Sequence, residues 1–147
     1  MTQEAPPVTV LLTQVATAEA LAAACAMSGM KVWAVESPIG AYAVTQPRQD
    51  GQQLAASLTA LAKQAPAILI TNAQGHMTAE QWEGGQKIGT LPPALVLDGA
   101  PHELEDLLLG QVDVATLDGV VDAAKISRFK AMRMLAKSAR QYKADPS

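Results

Sequence analysis

Seven polar side chains follow predicted strands, at the positions where α/β proteins commonly bind ligands. In open α/β sheets, ligands bind outside the carboxyl ends of the strands, and three loops of this chain are predicted there. Their hydroxyl, amide, imidazole and carboxylate groups could line a crevice and hydrogen-bond a small molecule. These candidate ligand-binding residues are Thr13, Gln14, Asn72, Gln74, His76, Asp98 and His102. The same residue types also favour turns and helix caps for local backbone reasons, so both interpretations stay open.

Three members of this set could in principle bind a metal or transfer protons. His76, Asp98 and His102 have no characteristic metal-ligand spacing, and both histidines stand at predicted helix starts. We therefore predict no metal and no catalytic residue. Gly84 and Gly89 are spaced as in a phosphate-binding loop, but Thr90 stands where that loop requires lysine. The first strand–helix turn contains no glycine, so no dinucleotide cofactor is predicted either.

The elements that would position these residues follow a β-α-β-β-α-β order. The uncharged aliphatic run up to Thr71 predicts a central strand that is covered on both faces. The sequence before it predicts a strand at 8–12, a helix from Thr17 to Gly29, a hairpin of 31–36 with 41–46, and a helix ending near Gln64. This order matches the ferredoxin-like unit, but it also suits a larger sheet with a hairpin at its edge.

The following residues favour the larger sheet. A capping-box pattern at 78–81 predicts a short helix, 94–98 a fifth strand, and 101–110 another helix. Continued strand–helix alternation favours an α/β fold, a single domain with a mostly parallel or mixed sheet of about five strands flanked by helices. The predicted domain covers 8–112, after a flexible N-terminal arm at 1–7.

The C-terminal part of the chain, 113–147, is predicted to form a long basic amphipathic helix and a short tail. Residues 1–124 hold four basic and thirteen acidic residues, net −9, whereas 125–147 hold seven basic residues and one acid, net +6. The helix carries an apolar stripe with basic residues mostly elsewhere. The candidate interaction residues are Ile126, Phe129, Met132 and Leu135, with Arg128, Arg133, Lys137 and Arg140.

This charge division favours a non-catalytic protein-binding or assembly module that acts through its C-terminal helix. The expected partner is a second copy of the chain or an acidic protein. The acidic body and the few aromatic residues argue against nucleic acid, and a modest apolar stripe without tryptophan argues against a membrane surface. The alternative is a small-molecule-binding regulator or small enzyme with a site at the carboxyl ends of the strands.

The single cysteine and the lengths of the apolar runs bear on the cellular location that we expect for the protein. Cys25 cannot form an intramolecular disulfide, and on an alanine-rich helix it is predicted to be a small buried hydrophobe. No apolar run approaches the roughly 18 residues that span a bilayer, and the first residues lack the basic start of a signal peptide. A cytoplasmic location is therefore expected.

Overall fold

The computed structural model describes residues 8–62 and 65–144, with side chains as far as Lys137; the predicted N-terminal arm lies outside these residues. Its strands are β1 (Val8–Leu12), β2 (Val32–Val35), β3 (Tyr42–Thr45), β4 (Ala67–Ala73), β5 (His76–Glu83), β6 (Gln86–Leu91) and β7 (Val121–Asp122). Its helices are α1 (Ala18–Met27), α2 (Gly51–Leu61), α3 (Pro93–Asp98), α4 (His102–Leu108) and α5 (Arg128–Ala144). Short 3-10 turns occupy Val114–Thr116 and Ala123–Lys125.

The described strands form one seven-stranded sheet in the order β6-β5-β4-β1-β3-β2-β7, and every neighbouring pair is antiparallel. The prediction of a mostly parallel or mixed sheet of about five strands is therefore wrong, and the fold class is α+β. The predicted β-α-β-β-α-β element order is present up to β4, and so is the predicted β2–β3 hairpin.

Two further elements differ from the predictions: a strand of two hairpins replaces a predicted helix, and a helix replaces a predicted strand. The segment 78–81, predicted to open a helix, lies inside β5, which pairs with β4 on one side and β6 on the other. Gln74 and Gly75 have φ of +56° and +82°, and Gly84 and Gly85 have +60° and +86°, which suits the tight two-residue turns that join antiparallel strands. The predicted strand at 94–98 is helix α3, which begins at Pro93, a favoured first helical residue.

Helices cover both faces of the sheet, so the protein has two apolar cores. Helices α1 and α2 pack on one face, where Leu11, Leu21, Leu54 and Leu69 are almost completely buried. Helix α4 and the turn at Val114–Thr116 cover the opposite face, with a core of residues that includes Val10, Tyr42, Ile70, Leu104, Leu108 and Val114. Residues 113–127 thus join the domain: they add Val114 to the second core and β7 to the sheet edge, before α5 begins.

A hydrogen bond from the buried Tyr42 joins helix α4 to strand β3 of the sheet. The Tyr42 hydroxyl donates to Glu103 Oε1 at 2.6 Å, and the tyrosine is 1% exposed. Burial raises the pKa of Tyr42 far above its ordinary value, and the hydrogen bond to the Glu103 carboxylate and its negative charge raise it further. The phenol therefore stays protonated and keeps donating to Glu103 throughout the neutral range.

Cys25 is confirmed as a buried residue of α1 within the first core. Burial raises the pKa of its thiol from 9.0 to about 12, because the thiolate would lose its hydration. At neutral pH the side chain is an un-ionised hydrophobe, which excludes it as a nucleophile in the folded protein.

The connection between the β2–β3 hairpin and the end of β1 can be tested at Gly40. A Cβ at Gly40 would overlap the backbone oxygen of Thr13, and its φ is +116°. Gly119 also has a positive φ, +74°, but a Cβ there would meet nothing within 4 Å. We expect Gly40→Ala to lower the free energy of unfolding by roughly 3 kcal/mol or more and Gly119→Ala by about 1 kcal/mol. Urea denaturation of both variants checks this, and equal losses would show that the contact with Thr13 does not constrain the hairpin.

Candidate functional site

The residues predicted to share one crevice lie at opposite ends of the sheet. In the register of β1 with β4, Val8 is opposite Asn72 and Leu12 is opposite Ile68. Thr13 and Gln14, which follow β1, are therefore at the far end of the sheet from Asn72. The parallel arrangement that would have brought the carboxyl ends of these strands together is absent from the described sheet.

Thr13 and Asn72 hydrogen-bond to the backbone of neighbouring elements. The buried Thr13 hydroxyl donates to the Ala41 oxygen at 2.7 Å and accepts from the Val15 nitrogen at 3.1 Å, while Gln14 is exposed. Asn72 Nδ2 donates to the Leu108 oxygen at 2.6 Å, which joins the end of β4 to the end of α4. Its Oδ1 is buried and has no hydrogen-bond partner among the described residues.

The remaining predicted ligand-binding residues fall into two groups. Gln74 and His76 are exposed at the β4–β5 turn. Asp98 and His102 line one groove between α3 and α4, together with Glu105. Across residues 8–62 and 65–144, no three His, Cys, Asp or Glu side chains cluster closely enough to hold a metal ion.

This α3–α4 groove combines an apolar floor with an acidic rim. It has a volume of about 410 Å³, and its apolar residues are Met77, Pro93, Ala94, Leu97 and Ala100. Asp98 and Glu105 are exposed and supply two carboxylates. Asp98 and His102 are among the predicted ligand-binding residues, whereas Met77, Leu97 and Glu105 are not. These three join the groove only because 94–98 folds as a helix beside β5. The groove suits an apolar group that is flanked by positive charges.

Helix α5 packs one face against the domain. Ala131 is completely buried against Ala23 and Ala26 of α1, and Met134 and Leu135 are partly buried beside them. Ser127 caps the helix, since its Oγ accepts from the Lys130 nitrogen at 3.1 Å. The α5 helix is thus anchored on α1 through small side chains that allow the two helices to approach closely.

The opposite face of α5 is exposed and combines apolar with basic side chains. Phe129 and Met132 are 70% and 56% exposed. The Arg133 guanidinium carbon lies 5.8 Å from the centroid of the Phe129 ring, within the range of a cation–π contact. The outer face of α5, as we call it, consists of Phe129, Lys130, Met132, Arg133, Ala136 and Lys137.

The predicted interaction residues are accordingly divided between a group that packs toward α1 and an exposed group. Ile126 and Leu135 are partly buried on the α1 side, and Phe129, Met132, Arg133 and Lys137 are exposed. Arg128 Nη2 lies 3.5 Å from the position of a Cβ on Gly29, at the C-terminal end of α1, where the helix dipole favours a cation. The side chain of Arg140 lies outside the described residues.

Neither a membrane-spanning helix nor a related protein indicates a function for the described residues. None of the helices within residues 8–62 and 65–144 is long and apolar enough to cross a membrane. Comparison with protein-family models, curated proteins and solved structures gives no significant match.

Substitution by aspartate should have a large effect on stability on one face of α5 and a small effect on the other. Leu135→Asp would place a carboxylate against α1, so we expect a loss of about 2 kcal/mol or more in the free energy of unfolding. Phe129→Asp changes only an exposed position, so we expect a change of about 0.5 kcal/mol or less. Thermal and urea unfolding of the two variants measure the difference, and a large loss for Phe129→Asp would show that Phe129 is packed.

Proposed function

We propose that this chain is a non-catalytic assembly module, in which the outer face of α5 docks into the α3–α4 groove of a second copy. The observation that carries the proposal is the complementarity of these two surfaces in apolar character and in charge. One presents exposed apolar side chains with basic neighbours, and the other presents an apolar floor with acidic neighbours.

The apolar part of the contact would supply most of its affinity. Phe129 is 70% exposed, the highest exposure among the large hydrophobic residues that the structure describes. Burying an aromatic side chain in an apolar groove removes a large area from water, and such residues often dominate binding energy. The floor formed by Met77 and Leu97 is adaptable enough to receive the ring, since methionine fills irregular gaps.

The charges would set the orientation of the contact and its rate of formation. Lys130 and Arg133 flank Phe129, and both are exposed; Asp98 and Glu105 flank the groove. Opposite charges around an apolar contact increase the association rate and exclude wrong registers more than they add affinity. This contact should therefore weaken as the ionic strength rises.

Three alternative interactions are less well supported by the surfaces. Pairing the outer faces of two α5 helices would bring Lys130, Arg133 and Lys137 of each copy near the same residues of the other, which repel one another. A nucleic acid would meet the basic helix but also the acidic body, which carries net −9 over residues 1–124. An acidic segment of a different protein fits the outer face of α5 but leaves the α3–α4 groove unexplained.

The proposed contact is heterologous, because the two surfaces are different and lie on opposite sides of the sheet. Helix α5 packs on α1 on one side, and α3 and α4 cover the other side. Heterologous contacts build rings when the rotation closes and open chains when it does not. The expected species are therefore assemblies whose average mass rises with protein concentration.

Light scattering at increasing protein concentration in low salt tests the assembly. We expect the average mass to rise above that of the monomer and to fall again in high salt. Phe129→Asp should give a folded monomer, and so should the double reversal of Lys130→Glu with Arg133→Glu. Lys31→Glu, at an exposed position outside both surfaces, is the control and should associate like the unchanged chain.

A charge exchange identifies the surface that receives α5. The groove variant with Asp98→Lys and Glu105→Lys should be monomeric alone, as should the α5 reversal variant. Their mixture should associate. The basic α5 of the groove variant matches the acidic groove of the α5 reversal variant, and the acidic α5 of the reversal variant matches the basic groove of the groove variant. A chain that stays monomeric at every concentration, or a mixture that does not associate, contradicts docking between copies.

A further inference from the structure

A second cavity lies at the end of the sheet where β1 begins and β3 ends. It has a volume of about 610 Å³, and its wall is largely apolar. The apolar wall consists of Val8, Trp33, Val44, Leu107, Val112 and Val114. This cavity shares no residue with the α3–α4 groove or with the outer face of α5. A concave apolar site of this size with a few polar groups is typical of small-molecule binding.

The polar edge of this cavity, hereafter the Arg48 cavity, is the β3–α2 loop. Arg48 has φ of +74°, a left-handed backbone conformation that non-glycine residues rarely adopt. Arg48 is one of the residues that line the cavity, and it is exposed. Within the described part of the chain, its guanidinium makes no hydrogen bond and no salt bridge. Backbone strain of this kind is concentrated at binding and catalytic sites, because the surrounding structure must hold it in place.

The two carboxylates at the same edge of the cavity, Asp50 and Asp113, already accept hydrogen bonds from backbone N–H groups. Asp50 Oδ1 accepts from the Gln52 nitrogen at 2.8 Å and from the Gln53 nitrogen at 3.3 Å, which caps α2. Asp113 Oδ1 accepts from the Ala115 nitrogen at 3.1 Å, which caps the turn at Val114–Thr116. Of the three charged groups that line the cavity, the Arg48 guanidinium is the positive one, and it alone has no hydrogen bond within the described residues.

We infer that the Arg48 cavity binds a small carboxylic acid with an apolar, preferably aromatic, body. The carboxylate would accept two parallel hydrogen bonds from the Arg48 guanidinium, whose planar fork matches that geometry. The apolar body would lie against Trp33 and the valine side chains. Binding of this kind is independent of the assembly proposed above and could persist in a monomer.

Phenylacetate is a suitable probe, and two compounds of similar shape are its controls. Phenylacetamide keeps the apolar body without the charge, and phenethylamine reverses the charge. The two tryptophans allow an internal control by NMR of the ¹⁵N-labelled full chain, because Trp33 lines the cavity and Trp82 lies in the first core. We expect phenylacetate to shift the Trp33 indole signal in a saturable way and to leave the Trp82 signal in place, and the two controls to bind at least about tenfold more weakly.

Substitution of Arg48 separates binding from folding. Arg48→Gly removes the guanidinium and relieves the left-handed backbone, so we expect a higher melting temperature and a loss of phenylacetate affinity of about tenfold or more. Arg48→Lys keeps the positive charge and should retain part of the affinity. Val112→Phe, which places a ring in the cavity, should also weaken binding.

Three results would overturn the inference. They are the absence of a saturable Trp33 shift with phenylacetate up to the solubility limit, equal binding of phenethylamine, and unchanged phenylacetate affinity in Arg48→Gly. If the chain assembles but shows one of these results, only the Arg48 cavity is rejected. If the Trp33 shift is as expected in a chain that never assembles, only the docking between copies is rejected.

Discussion

Strand β1 imposes the main constraint on this structure, because it is hydrogen-bonded on both sides and buried on both faces. It pairs with β3 and β4, and its consecutive residues Val10 and Leu11 are both completely buried. Successive side chains of a strand point to opposite faces, so both faces of the sheet need a cover at this point. Helices α1 and α2 supply one cover and α4 supplies the other. The surfaces that remain for function are therefore outside these covers or at the sheet ends.

The sequence predicted the elements of the first half well, but apart from the β2–β3 hairpin it predicted their pairing badly. The central strand β4, the β2–β3 hairpin and the β-α-β-β-α-β order are all present. Strands β1 and β2 do run in the same direction, as expected for strands joined through a helix, but β3 lies between them and is antiparallel to both. Which strand lies beside which is decided by contacts distant in sequence. Local patterns contain little of that information.

Errors in the second half have local causes that the sequence does contain. The Gly84-Gly85 pair after the predicted helix at 78–81 can end a helix, but it is also a hairpin signal when it stands between two strand-forming segments. The capping-box pattern at 78–81 favours a helix start. A helix of so few residues is only marginally stable, however, so the hydrogen bonds that pair this segment with β4 and β6 determine its structure. The run 94–98 is apolar throughout, so its periodicity does not distinguish a strand from a helix. Pro93 was the better indicator, since proline favours the first turn of a helix.

Because the strand pairing was predicted wrongly, only some of the predicted ligand-binding residues lie close together in the structure. Thr13 and Asn72 were expected to meet because parallel strands end at one edge, whereas neighbouring antiparallel strands end at opposite edges. Asp98 and His102 do share a groove, since they lie on two consecutive helices. Arg48 was not identified as a candidate, because a positive φ at a residue with a side chain cannot be deduced from its type. Pro47 and Gly51 indicated a turn there and nothing more.

The C-terminal helix shows how spacing by threes can mislead. In an α-helix each residue turns by about 100°, so three residues advance about 300° and each such step drifts by about 60°. Phe129, Met132 and Leu135 therefore do not form one stripe, because Leu135 lies about 120° round the helix from Phe129. Ala131 and Met134 accompany Leu135 on the side that contacts α1, while Arg133 and Ala136 accompany Phe129. The helix thus has apolar residues on two faces: those of one face pack against the domain itself, and those of the other are exposed.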